Sequence, residues 1–321
     1  MTSSLIQPLF DGPLDIIGDI HGYADELFQL LELMGYERRD DRYTHRDRKA
    51  VFVGDFIDRG PQIAEVLRVV RRMIDNRHAY AVMGNHEFNA IAYHTSDPAN
   101  DGYFLREHNE KNNHQHAETM RQLNADELRE AVNWFCTLPM WVDLDGIRVV
   151  HACWDAQSMN VIEGAIDEHG YGSTDFMRLA TENSSPLFQA VKNVLKGKEV
   201  SLPCGVSFAD KDGHGRTEVR IRWFEHPARK TFKQYALPPV EEIPNMPVPE
   251  SASNRVTPYD RSEPPVFFGH YWLRADRPAR LAPNIACVDY SVAKHGSLCA
   301  YRWDGETELN NEKFVWVDAR Q

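Results

Sequence analysis

The chain has 321 residues, 36 Lys+Arg against 48 Asp+Glu, a formal net charge of −12 and 42% hydrophobic content, enough to bury a substantial core and to exclude wholesale disorder. No apolar run approaches the roughly 20 residues of a membrane span, residues 1–7 carry no basic residue ahead of their apolar ones, and the acidic balance argues against a mainly electrostatic grip on nucleic acid or anionic membrane. Five cysteines without a C-x-x-C pair, none followed at the sixth position by Arg, argue against a disulfide framework, a zinc ribbon or a cysteine-phosphatase loop. They point to a cytoplasmic protein.

In chain order, Leu14–Ile17 reads as a short buried strand that runs into Gly18-Asp19-Ile20-His21-Gly22. Leu27, Leu30, Leu31 and Met34 then have the spacing of one apolar helix face. The plan repeats: a strand at 50–53, the loop Gly54-Asp55-Phe56-Ile57-Asp58-Arg59-Gly60, Pro61 as a helix start, and a helix whose stripe is Ile63, Leu67, Val70 and Ile74. A third strand at 79–83 ends in Gly84-Asn85-His86-Glu87. This β-loop-α alternation predicts a largely parallel sheet covered by helices, with chemistry at the carboxyl ends of the strands. Residues 94–118 read as a loop or irregular cap, and Asn124 as the cap of a helix reaching Phe135. Strands at 140–144 and 147–150 flank the hairpin signal Asp145-Gly146, the second leading into His151. Residues 156–200 read as mostly helical. The stretch 238–265 holds eight of the 18 prolines and reads as a surface excursion. Further strands are expected at 266–268, which ends in Gly269-His270, and at 285–288, 298–303 and 314–317.

Each polar cluster is weak evidence alone, but Asp19-x-His21, Asp55-x-x-Asp58-Arg59, Asn85-His86-Glu87, His151 and Gly269-His270 all follow apolar strands. Their side chains are therefore expected to converge on one sheet edge. Asp19, His21, Asp55, Asn85, His151 and His270 form a mixed nitrogen and oxygen ligand set, suited to manganese, iron or zinc rather than calcium. Six protein ligands suit two ions, and such a pair can activate hydroxide and clamp an in-line displacement at phosphorus.

The motifs GDxHG, GDxxDRG and GNHE, here at residues 18–22, 54–60 and 84–87, resemble those of the calcineurin-like metallophosphoesterases. Within that superfamily they are similar to the phosphoprotein phosphatase family, in its bacterial form. The resemblance implies an α/β fold, an αββα sandwich of two mixed sheets flanked by helices, as one catalytic domain over 1–321 with insertions at about 94–118, 156–200 and 238–265. It implies that Asp19, His21 and His270 hold one side of a dinuclear centre, that Asp55 bridges, and that Asn85 and His151 hold the second ion, with manganese as first choice and iron or zinc as alternatives. His86 becomes the acid that protonates the leaving group as a metal-bridging hydroxide attacks, Asp58 orients it, and Arg59 and Asn85 contact phosphate. A second phosphate-binding arginine is expected, with Arg220 and Arg222 as candidates because strand alternation puts both on one face. Asp289 and Tyr290 stand as supports of the site or turn residues.

Because Glu87 completes GNHE, the first expectation is a serine/threonine, or tyrosine, phosphoprotein phosphatase. Met83 replaces the arginine that precedes this motif in eukaryotic members, and residues 285–303 resemble bacterial members, including symmetrical diadenosine tetraphosphate hydrolases. Hydrolysis of diadenosine tetraphosphate or another small phosphoanhydride is therefore the alternative. A catalytically inactive module that binds phosphorylated partners is a further one, and a nuclease is disfavoured by the acidic balance. If the insertions ring the cleft, they favour small substrates.

Overall fold

The computed structural model describes residues 12–144, 146–209, 215–243, 245–249 and 257–320. Residues 1–7, Asp145 of the expected hairpin turn, and Pro244 and 250–256 of the proline-rich stretch lie outside the described residues. The strand Leu14–Ile17 is buried on both faces, which is why it reads as a continuous rather than an alternating apolar run. It pairs in parallel with Lys49–Phe52, which pairs in parallel with Ala79–Ala81. Its other edge takes Ser297–Trp303 antiparallel, flanked by Asp289–Tyr290 and Phe314–Asp318. A four-stranded second sheet runs Ile285–Cys287, Val266–Phe268, Ile147–Val150, Trp141–Leu144, the first three strands mutually parallel. Phe267 of the second sheet meets Tyr301 of the first at 5.0 Å between ring centroids, so the main apolar core lies between the sheets. Two mixed sheets flanked by helices are thus the architecture that the motifs imply.

The helix Ala24–Leu33 buries Leu27, Leu30 and Leu31 as expected. The helix Ile63–Asp75 begins after Gln62, so Pro61 precedes it instead of opening it, and Met73 takes the buried place assigned to Ile74. Residues 95–109 are irregular as expected, but the segment is helical at both ends: the helix Asn85–His94 follows the third strand, and a second helix, Glu110–Gln122, starts at Asn109, whose side chain accepts from the Asn112 amide at 3.0 Å. Its buried residues are His116 and Thr119, so no apolar stripe announces it. The helix Ala125–Phe135 is capped by Asn124. Residues 156–200 form the helices Ala156–His169, Thr174–Thr181 and Pro186–Lys196. The strand Glu218–Arg220 ends before Arg222, which removes the alternation that put both arginines on one face. A small satellite core of Leu202, Val219, Phe232, Ala236 and Ile243 packs the segment between that strand and the proline-rich stretch. Among the described residues, no helix is long and apolar enough to cross a membrane.

Asp15 lies in the central strand with no exposure. Its carboxylate accepts from Arg48 Nε at 2.9 and 3.0 Å and from Arg302 Nε at 3.2 Å, and Arg48 also donates to the carbonyls of Leu14 and Trp303 at 3.0 Å. One guanidinium thus ties strand to strand while neutralising the buried charge. Arg48→Met is expected to lower unfolding free energy by about 3 kcal/mol, because it strands a buried carboxylate with only Arg302 left. Urea denaturation measures this; a loss below about 0.5 kcal/mol, the range of an ordinary surface change, contradicts it.

Candidate metal centre

Strand direction brings the site together. Asp19 and His21 follow Leu14–Ile17, Asp55 follows Lys49–Phe52, Asn85 opens the helix after Ala79–Ala81, and His151 and His270 follow Ile147–Val150 and Val266–Phe268. All six candidate ligands are buried. His21, Asp55 and His270 adopt positive φ of 48°, 53° and 72°, as do Asp58, Arg59 and Trp272 beside them. Left-handed backbone at non-glycine residues is costly and is found where a site over-determines the chain. The glycines of the motifs make room for carboxylates: a Cβ on Gly84 would overlap Asp55 Oδ1, and one on Gly269 would overlap Asp19 Oδ1.

Asp55 is the hub. Its Oδ2 lies 3.6 Å from His21 Nε2, 3.4 Å from His151 Nε2 and 3.9 Å from His86 Nε2, while its Oδ1 accepts from the His86 amide at 3.0 Å. His21 Nδ1 donates to the Ile57 carbonyl at 2.9 Å and His151 Nδ1 to the Val53 carbonyl at 2.7 Å. Both rings therefore turn Nε2 into the site, the second-sphere arrangement that fixes a ligating tautomer. His151 Nε2 then faces two acceptors, Asp55 Oδ2 at 3.4 Å and Asn85 Oδ1 at 3.2 Å, an arrangement that suits a cation shared among the three or a second proton on the ring.

Two sets of three groups lie within 4.8 Å of one another: His21, Asp55 and His86, and Asp55, His151 and His270. His270 therefore sits with His151. The expected partition, which put it with Asp19 and His21, is corrected here, because its ring stands 5.2 Å from that of His151 while only its backbone amide reaches Asp19, at 3.0 Å.

The charges point the same way. Burial, then repulsion from Asp289 and Asp55, holds the Asp19 carboxyl well above the carboxylate range. Burial alone would raise Asp55 too, but His151 and His86 outweigh it and hold it low. Burial takes the His21 imidazole down to about 3, so it stands neutral and ready to ligate. Buried atoms without a hydrogen-bond partner include Asp19 Oδ1, His21 Nε2 and both nitrogens of His270. Orphaned acceptors and imidazole lone pairs converging on crowded carboxylates fit divalent cations.

His86 is joined to Asp58, His86 Nδ1 to Asp58 Oδ2 at 2.5 Å. The other Asp58 oxygen accepts from His116 Nδ1 at 2.9 Å and Thr119 Oγ1 at 2.6 Å. Burial would raise this carboxyl, yet the hydrogen bonds from His116 and His86 hold it well below its usual range. Gln115 lies 3.4 Å from His86 Nε2. Sequence reading missed His116, Thr119 and Gln115, although Gln115, His116, Thr119 and Gln122 form a polar stripe at helical spacing. It also missed Trp272, whose ring stacks under the Arg59 guanidinium at 4.6 Å. Arg59 Nε is buried without a partner.

Of the two arginine candidates, Arg222 is tied to Glu225 at 2.8 Å and to the Leu281 carbonyl. Arg220 donates to the Lys196 carbonyl at 2.8 Å and is the leading charge depressing His270 after burial, so it is the one beside the centre. Asp289 accepts from the Trp272 and Ser291 amides at 2.6 and 3.0 Å and orders the chain after His270. Glu87 is fully buried, and accepts from the amides of Asp55, Phe56 and Gly84 at 2.8, 2.8 and 3.0 Å. It braces the loop of Asp55 and presents nothing to a substrate, so its identity as Glu does not favour a phosphoprotein.

A family model, calcineurin-like phosphoesterase, matches residues 12–193. The asymmetrical bis(5'-nucleosyl)-tetraphosphatase PrpE of Halalkalibacterium halodurans is 51% identical over 73 residues, 22% of this chain and 30% of that protein. Its counterpart in Oceanobacillus iheyensis is 43% identical over 74 residues, 23% of this chain and 30% of that protein. The chain thus spans about a third of the length of these relatives in the matched segment. A protein serine/threonine phosphatase from Saccharomyces cerevisiae aligns with a TM-score of 0.52 at 12% identity, covering 97% of this chain and 80% of that one. A cold-active protein tyrosine phosphatase variant aligns at 0.51 with 16% identity, covering 100% and 85%. These two establish likeness of fold.

Purified protein is expected to carry about two transition-metal ions per chain, and Asp55→Asn to deplete both. Metal analysis by mass spectrometry tests this; one ion that survives Asp55→Asn contradicts the hub.

Proposed function

The chain belongs to the calcineurin-like phosphoesterase family, and on that footing we propose that it is a metal-dependent hydrolase of small phosphoanhydrides, with dinucleoside polyphosphates such as diadenosine tetraphosphate as its substrate class. The observation that carries this choice is the match to relatives named bis(5'-nucleosyl)-tetraphosphatase. The phosphoprotein reading rested on Glu87, which is turned inward. The helices Glu110–Gln122 and Pro186–Lys196, both in insertions, border the cleft through Gln115 and through the Lys196 carbonyl that Arg220 caps, and crowding on two sides favours a slender substrate. The intact set of ligands and the His86–Asp58 pair disfavour an inactive binding module. We assign one catalytic unit to the chain, and the cytoplasm as its setting on the strength of five cysteines without a disulfide.

Asp19, His21, Asp55, Asn85, His151 and His270 would hold two divalent ions, manganese by first choice. When bound, such ions supply Lewis acidity toward phosphoryl oxygens and a water of lowered pKa. The protein's own groups do the rest. Asp58, fixed by His116 and Thr119, accepts from His86 Nδ1 and aims Nε2 at the cleft, where it gives a proton to the departing oxygen. Arg59, seated on Trp272, and Arg220 offer planar donors to the non-bridging oxygens as charge builds on them.

His86→Asn is expected to lower turnover by about 10²–10⁴ with metal content unchanged. The loss should be smaller on diadenosine tetraphosphate, whose leaving phosphate needs a proton less, than on a phosphoserine peptide. Wild-type rates on diadenosine tetraphosphate, p-nitrophenyl phosphate and phosphoserine and phosphotyrosine peptides rank the substrates. Turnover of the peptides with the dinucleotide untouched overturns the proposal.

A further inference from the structure

On and beside the helix Pro186–Lys196 and the strand Glu218–Arg220, most cations have a carboxylate of their own. Lys192 pairs with Glu199 at 2.7 Å, Lys198 with Asp155 at 2.9 Å, and Arg222 with Glu225 at 2.8 Å. Lys196, Arg106 and Arg220 do not: among the described residues none has a carboxylate within ion-pair distance. Arg106 donates only to the neutral side chains of Asn112 and Gln115, at 2.9 and 2.7 Å, and Gln115 joins it to His86. Arg220 donates to the Lys196 carbonyl beside His270. Lys196, half-buried at the end of the helix Pro186–Lys196, offers its carbonyl to Arg220 and lies within charge range of both arginines. Its place at a helix carboxyl terminus would by itself explain a lysine, but Arg220 already caps that end. Partial burial and then the neighbouring Arg106 and Arg220 push the Lys196 ammonium down to about 8, so the three charges feel one another. Uncompensated like charges held together are unfavourable unless an anion completes them.

We propose that Lys196 and Arg106 form a distal phosphate subsite, continuous with Arg220, that holds the second and third phosphoryl groups of a polyphosphate chain whose reacting phosphorus lies at the metal centre. It rests on the phosphoanhydride reading and explains how this site would prefer such chains to a single phosphoryl group. A phosphomonoester has nothing to place there. A nucleotide and free inorganic polyphosphate share the chemistry.

The test is calorimetric titration of the full-length, metal-replete protein with inorganic tripolyphosphate, diadenosine tetraphosphate and orthophosphate. Wild type should bind tripolyphosphate at least about tenfold more tightly than orthophosphate, Lys196→Gln should erase that advantage, and Lys196→Arg, which keeps the charge, should retain it. A tighter dinucleotide than tripolyphosphate assigns the subsite to nucleotides, and the reverse to free polyphosphate; both support it. No advantage in wild type, or an undiminished one in Lys196→Gln, overturns it. Failure of the underlying reading is separate: wild type would then release no nucleotide from diadenosine tetraphosphate, whatever Lys196 does to binding.

Discussion

Four carboxylates, Asp19, Asp55, Glu87 and Asp289, are buried at one edge of the sandwich within range of one another's charge, and the surrounding structure is organised by how that repulsion is contained. Glu87 and Asp289 are held by backbone amides. Asp19 takes one amide, from His270, and keeps an oxygen unpaired. Asp55 is ringed by imidazoles. Burying one uncompensated carboxylate costs several kcal/mol, so the left-handed backbone at His21, Asp55 and His270 is tolerable only if cations repay it. The same need explains why glycine stands where Gly84 and Gly269 pass the ligand carboxylates.

The sequence made the centre legible because the chemistry is local to it. Each motif is a strand end, and parallel strands carry their ends to one edge whatever lies between. What lies between was harder. The helix Glu110–Gln122 is buried through His116 and Thr119, which bond Asp58, so hydrogen bonding replaces the apolar stripe that periodicity detects. Arg222 looked equivalent to Arg220 only while the strand was assumed to continue. The pairing of His270 with His151 depends on sheet order, which places Val266–Phe268 beside Ile147–Val150, and no spacing in the chain encodes that. Glu87 was read as a mark of substrate when its burial makes it a brace.

The net charge of −12 is no guide to the site, where Arg59 and, in the proposed subsite, Arg106, Lys196 and Arg220 have no carboxylate at ion-pair distance among the described residues. An acidic protein can thus present a cationic groove to an anionic chain, with field lines concentrated by the low-dielectric walls. If the proposed subsite holds, specificity falls to residues 94–118 and 156–200, since Arg106 and Lys196 belong to those segments and not to the strand ends.

The central claim is that Asp55 joins two cation positions, with His151 and His270 on one side and His21 on the other. Anomalous diffraction at the manganese edge from crystals of the manganese-loaded protein tests it directly. Two peaks flanking Asp55, one against His151 and His270 and one against Asp19 and His21, are the expected result. A single peak, or His270 bound together with His21, would contradict it.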